Sequence, residues 1–245
     1  MFALRTIHAM SQFCLIHGST QNSDCWNLLV PELKSLGHQT IKVDLPTGRN
    51  ISGMQYAQTI VRELDVVDED IILVGHSVSG IFLPLVASLR QVHHLVYLAS
   101  FIPKPGTSIV EQMFDESFDM FESSWAEAWV TATQMGKNLV EDDELALNFL
   151  FHDCTPEVAK WALSIRRLLH PEAALSEVFP LQNYPSKGSH SYVICTEDRT
   201  INSKWARRAA QEFLGVEAIE IPGGHCPYLS RPSYLASILN RLANC

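Results

Sequence analysis

The sequence predicts an α/β fold: a doubly wound, mostly parallel sheet carrying an inserted helical cap. Three observations predict it. Short apolar runs alternate with segments of helical spacing along most of the chain. Those runs are apolar throughout rather than alternating, as strands are when helices cover both faces of a parallel sheet. Finally, 245 residues with 47% hydrophobic and only 18% charged content suit one sizeable core, so residues 1–245 are expected to form a single domain.

Taken in order, residues 12–16 form a short apolar run that stops at His17-Gly18. Asp24 is placed to cap a helix carrying Trp26, Leu29, Leu33 and Leu36 at helical spacing, closed by Gly37. Residues 40–44 read as a strand halted by Pro46, and Ser52 as the cap of a helix around Tyr56, Ile60 and Leu64. A strand at 70–74, a helix at 78–89 and a strand at 92–99 follow. There the rhythm breaks. Residues 101–185 give no strand signal but helix-like segments rich in Phe and Trp: Phe114, Phe118, Phe121, Trp125, Trp129, Phe149, Phe151 and Trp161. This is the expected cap, with Pro103 and Pro105 where it starts and Pro180 and Pro185 where it ends. A strand at 191–195, a helix at 202–213, a strand at 216–221 and a helix at 233–242 complete the alternation.

Composition narrows the function. A net charge of −9 argues against a nucleic-acid partner. Nowhere do about 18 apolar residues run together, so no membrane-spanning helix is expected. Arg5 and His8 interrupt the N-terminal stretch and residues 13–16 are too short for a signal-peptide core, which makes the expected location cytoplasmic. The six cysteines (Cys14, Cys25, Cys154, Cys195, Cys226, Cys245) lack CxxC spacing and read as reduced thiols, with no metal site. No GxGxxG follows the first strand and no GxxxxGK[ST] occurs, so no cofactor is expected. Residues 101–160 hold twelve acidic residues against Lys104, Lys137 and Lys160, a balance of −9 that leaves the remainder at zero. Were that acidity to rim a binding site, it would disfavour anionic substrates. An exposed cap surface could support a homodimer, though no pattern demands one.

The chemistry concentrates in Gly75-His76-Ser77-Val78-Ser79-Gly80, directly after an apolar strand and before a helix. A serine held on such a tight turn needs small residues two before and two after it; Gly75 and Ser79 meet that demand, although glycine is usual where Ser79 stands. The turn aims helix N-terminal amides at the serine, and the N–H of Val78 is placed to receive a developing oxyanion.

The order His17-Gly18, Gly75 to Gly80, Thr196-Glu197-Asp198 and Gly223-Gly224-His225 resembles the α/β-hydrolase superfamily. More narrowly it is similar to the small branch of pyrethroid hydrolases, plant methylesterases and hydroxynitrile lyases, with Asp44-Leu45-Pro46 and the Phe151-His152-Asp153-Cys154 stretch also matching. The resemblance implies a catalytic triad of Ser77 as nucleophile, His225 as general base and then acid, and Asp198 as orienting acid, with Glu197 the alternative. It also implies that Ser19, after His-Gly, gives the second oxyanion N–H. His17 and His76 read as structural. The cap aromatics, Trp125, Trp129 and Phe149 among them, are expected to form an apolar pocket above Ser77 for a neutral small-molecule ester or lactone. Hydrolysis of a carboxylic ester is thus the first expectation. Two others stay open: hydroxynitrile-lyase cleavage, and a small-molecule receptor on the same fold. The lyases resembled here carry threonine and lysine where this chain has Gly18 and Cys226, which favours the esterase.

Overall fold

The computed structural model describes residues 10–65, 71–115, 119–136, 141–185 and 189–244. Arg5, His8, Asp70, Phe118, Lys137 and Cys245 lie outside the described residues.

Strand β1 (Gln12–Ile16) is buried along its whole length. A 3-10 turn at Ser23–Leu28 then runs into α1 (Leu29–Ser35). Its cap is Asn22, whose side chain accepts from Asp24 N, and not Asp24 as the spacing suggests. The tight turn starts the helical segment early, and Asp24 instead meets Lys42 Nζ at 3.2 Å. Strand β2 (Gln39–Val43) leads to α2 (Gly53–Leu64), which Ser52 opens with a reciprocal capping box to Gln55. Strand β3 (Ile71–His76) feeds a 3-10 turn at Ser77–Ile81 and then α3 (Leu83–Leu89), before β4 (His94–Leu98).

Between β4 and the next strand lie α4 (Ile109–Phe114), α5 (Ser123–Gln134), α6 (Asp143–Phe149), α7 (Pro156–Ser164) and α8 (Glu172–Ser176). Strand β5 (Ser189–Cys195), α9 (Ser203–Ala209), β6 (Ile219–Ile221), α10 (Pro227–Ser230) and α11 (Pro232–Leu242) finish the chain. After α9 the backbone passes through a π-turn at Ala210–Leu214, and Gly215, at φ 67°, ends it. Val216 N bonds back to Ala210 O, which is why β6 begins three residues later than its apolar run.

The six strands form one parallel sheet in the order β2-β1-β3-β4-β5-β6. Successive strand residues feed opposite cores. Ile16, Leu73, Tyr97 and Ile194 join α2, α3 and α9 on one face, whereas Phe13, Val74, Val96 and Val193 join Trp26, α1 and α11 on the other. With both faces covered, the inner strands β1, β3 and β4 are buried along their whole length, whereas the edge strands expose Gln39 in β2 and Glu220 in β6. The chain leaves β1 in one direction to β2 and returns to its other side for β3, so a crevice opens at the carboxyl ends of β1 and β3. Ile16 pairs with Gly75 there, and Cys195 pairs with Ile221 on the far side. The loops after four strands therefore converge on one end of the sheet.

Candidate active site

Ser77 stands at the end of β3 with φ 55°, in the left-handed region. Strand geometry stops at His76, and the 3-10 turn at once redirects the chain. The turn is pressed against its neighbours. A Cβ on Gly80 would overlap Ser100 Oγ at 1.7 Å and Phe101 O at 2.3 Å, so only glycine fits. Gly18 is also confined, though less tightly: a Cβ there would lie 2.9 Å from His76 Nδ1 and 3.0 Å from Ser77 Cβ. The loop carrying Ser19 thus passes directly over the serine. Ser79 explains its own departure from glycine, because its hydroxyl donates to His17 O and ties the turn to that loop.

His225 lies in the loop after β6, with Nδ1 2.8 Å from Asp198 Oδ2 in the loop after β5. Both side chains are almost wholly buried. Asp198 Oδ1 accepts from Thr200 N at 2.7 Å, Thr200 Oγ1 at 2.8 Å and Ile201 N at 3.2 Å, so the carboxylate is fixed by three donors. Thr200 Oγ1 also lies 2.9 Å from His225 Nδ1. Glu197 takes no part in this cluster; its Oε1 accepts from Gly223 N.

The two other histidines support the turn. His76 lies with its ring centroid 4.6 Å from that of His225, and its Nε2 is 2.8 Å from His225 O. Tyr228 OH approaches its Nδ1 at 3.5 Å. Burial holds the His76 imidazole well below its usual pKa, so it is neutral. His17 accepts at Nε2 from Leu45 N and bonds Gly18 O through Nδ1; burial lowers its pKa to about 4.

Ser77 and His225 face a common cavity of about 50 Å³, room for a few water molecules. Gly18, Ser19 and Thr200 line it at the base, and Phe101, Phe121, Trp125, Trp129 and Leu150 wall it above. Trp125 and Trp129 therefore reach the cavity. Phe149 does not; it packs edge-on behind Trp125 with centroids 5.1 Å apart. No carboxylate of the acidic stretch is among the lining residues. Part of that stretch has local work: Asp142 caps α6, and Asp143 pairs with Arg166 at 2.6 Å.

The helices between β4 and β5, expected from the sequence to form a cap, hold the loops after β1, β5 and β6. Phe121 and Ile201 form an antiparallel bridge, flanked by Glu122 N to Thr200 O and Asn202 N to Met120 O. His152 Nε2 meets Glu197 O, Asp153 Oδ2 accepts from Gly224 N at 2.8 Å, and Arg199 holds Asn148. On the other side Leu169 N donates to Ser19 O, and Asn22 Nδ2 to Ile165 O. Sequence reading missed Thr200 and the joining roles of Ser79 and Asp153. Asp198 signals a turn, since its carboxylate accepts from the N–H two residues on, but no local signal singles out the Thr200 hydroxyl.

Among the described residues there are no groups of His, Cys, Asp or Glu able to hold a metal, and no helix long and apolar enough to cross a membrane. Cys14, Cys25, Cys154, Cys195 and Cys226 are free thiols. A family model described as "Alpha/beta hydrolase family" matches residues 15–238. Salicylic acid-binding protein 2 of Nicotiana tabacum is 26% identical, the match spanning 95% of this chain and 96% of that protein. Methylesterase 7 of Arabidopsis thaliana is 25% identical over the same shares of the two chains. Among solved structures, polyneuridine aldehyde esterase superposes with a TM-score of 0.73 at 20% identity, covering 96% of this chain and 100% of its own.

Proposed function

The chain belongs to the alpha/beta hydrolase family, and from that premise we propose that it is a serine hydrolase of neutral carboxylic esters. One observation carries the reading: Ser77, in a left-handed turn, shares a small apolar cavity with a histidine whose far nitrogen is bonded to a buried aspartate. A serine hydroxyl is a weak nucleophile until a base removes its proton. With Nδ1–H committed to Asp198, His225 has Nε2 free as that base. Attack of Ser77 Oγ on the ester carbonyl forms a tetrahedral intermediate, whose oxyanion the N–H groups of Val78 and Ser19 receive. His225 then protonates the leaving alcohol, water attacks the acyl-enzyme with the same histidine as base, and the acid departs. Asp198 holds the tautomer and stabilises the imidazolium.

The cavity walls support a compact, uncharged substrate. The methylesterase relatives make a small alcohol portion the first to try. No observation favours the lyase reading: Gly18 offers no side-chain donor, and Cys226 is buried with its sulfur accepting from Tyr228.

The test is intact mass after a fluorophosphonate, followed by turnover of a panel of methyl and short-chain esters. One adduct in the wild type, absent in Ser77→Ala, is expected, with turnover falling by about 10⁶-fold. Wild-type ester turnover in Ser77→Ala would overturn the proposal.

A further inference from the structure

We propose that Thr200 is a positioning residue for His225, holding the imidazole through its hydroxyl and coupling it to the seat of the cap. This rests on the reading of His225 as general base. The Thr200 side chain is buried, and its single oxygen sits 2.8 Å from Asp198 Oδ1 and 2.9 Å from His225 Nδ1. An ionised carboxylate only accepts, so the Thr200 O–H donates to Oδ1. A lone pair of Oγ1 is then left for the Nδ1–H of His225. That proton is already directed at Asp198 Oδ2, 2.8 Å away. The four atoms close a ring in which one imidazole proton is shared between a carboxylate and a hydroxyl, and the hydroxyl is pinned by the same carboxylate. Turning His225 out of plane must break two bonds rather than one, and the Nδ1–H tautomer is specified twice.

The backbone of Thr200 is the other half of the device. Its N–H donates to Asp198 Oδ1, and its C=O accepts from Glu122 N at 2.9 Å, in the segment leading into α5. Phe121, which bridges to Ile201, also walls the cavity. The peptide that holds the cap over the substrate cavity therefore carries the side chain that holds the base. Seating the cap and aligning His225 are one event.

Thr200→Val keeps the shape and both backbone bonds but removes the hydroxyl. The expected result is a fall in kcat of about tenfold, the rate equivalent of one hydrogen bond, with KM nearly unchanged. Thr200→Ser restores kcat to within about twofold. The low-field proton resonance of His225 Nδ1–H moves in Thr200→Val, where the proton passes wholly to Asp198, and returns in Thr200→Ser. A threonine that merely filled space would leave that resonance in place. Thr200→Ala serves as a second hydroxyl-free variant should valine disturb the fold. Wild-type kcat and an unmoved resonance in the folded hydroxyl-free variant would overturn the proposal. Its failure is distinct from that of the hydrolase reading, which falls only if Ser77→Ala or His225→Ala keeps full turnover.

Discussion

Ser77 holds φ 55°, a conformation that costs a non-glycine residue about 1–3 kcal/mol and survives only where its surroundings over-determine it. Three neighbours do so: Gly80 lets the turn lie against Ser100 and Phe101, Phe101 N bonds Ser77 O, and Ser79 binds His17 O. Ser79→Ala deprives that buried carbonyl of its hydroxyl partner and should cost about 1 kcal/mol. In a chain of this size that appears as a fall in Tm of about 2–4 °C by calorimetry. The proposed oxyanion donors are main-chain N–H groups, so Gly18→Ala tests that proposal where substitutions at Ser19 or Val78 cannot. Its Cβ would meet His76 Nδ1 and Ser77 Cβ at 3.0 Å or less, so the loop must retreat from the serine. Loss of one oxyanion donor predicts a drop in kcat of about 10²–10³-fold with the fold retained, read from steady-state kinetics beside Tm. An unchanged kcat would show that the Ser19 amide is not used.

Elements position the site by joining loops across the cap rather than by local propensity. The Asp153 carboxylate takes the N–H of Gly224, one residue before His225, while His152 takes the carbonyl of Glu197, one before Asp198. One short stretch after α6 thus braces both loops. Asp153→Ala strands the Gly224 N–H; hydrogen exchange at residues 223–226 should quicken, and kcat should fall by about tenfold while KM changes little. A mutant with wild-type exchange there would show that the Asp153 carboxylate does not hold the loop. Such braces explain what could and could not be read from the sequence. The inner strands were legible because each is sandwiched between helices and buried throughout, and the box opened by Ser52 because it spans only three residues. The meeting of Ser77, Asp198 and His225 at one end of the sheet was legible because each follows a strand, in the order that the resemblance supplied. Contacts such as Asp153 to Gly224, 71 residues apart, leave no local trace. The position of Phe149 was equally hidden: helical spacing puts it among the aromatics, but only packing puts it behind Trp125. Asn22 displaced Asp24 as cap because a 3-10 turn has no hydrophobic period to betray where it begins.

At the scale of the whole molecule, charge and buried histidines make opposite demands as pH falls. The net charge of −9 at neutral pH shrinks toward zero near pH 5.5, so self-repulsion alone would make the protein most stable there. His17, His76 and His94 argue otherwise, since burial pushes each below its ordinary value, His17 and His94 to about 4. The native state therefore binds fewer protons than the unfolded chain between the unfolded value of 6.5 and the folded value near 4. Stability rises with pH wherever the unfolded state holds more protons. The contribution of these histidines is thus complete above pH 6.5 and lost as pH drops toward 4. His94 isolates the effect, because it sits at the start of β4, on the opposite end of the sheet from Ser77, between the hydroxyls of Ser189 and Ser191. Electrostatic repulsion from the neighbouring His93 and His190 adds to that lowering. Wild-type Tm should decline from pH 7 to pH 5 although net charge is falling. His94→Gln should start lower at pH 7, by the lost packing and hydrogen bonds, and decline less over that interval. Parallel curves for the two proteins would mean that His94 is not held neutral, and a wild-type maximum near pH 5.5 would mean that repulsion outweighs all three histidines.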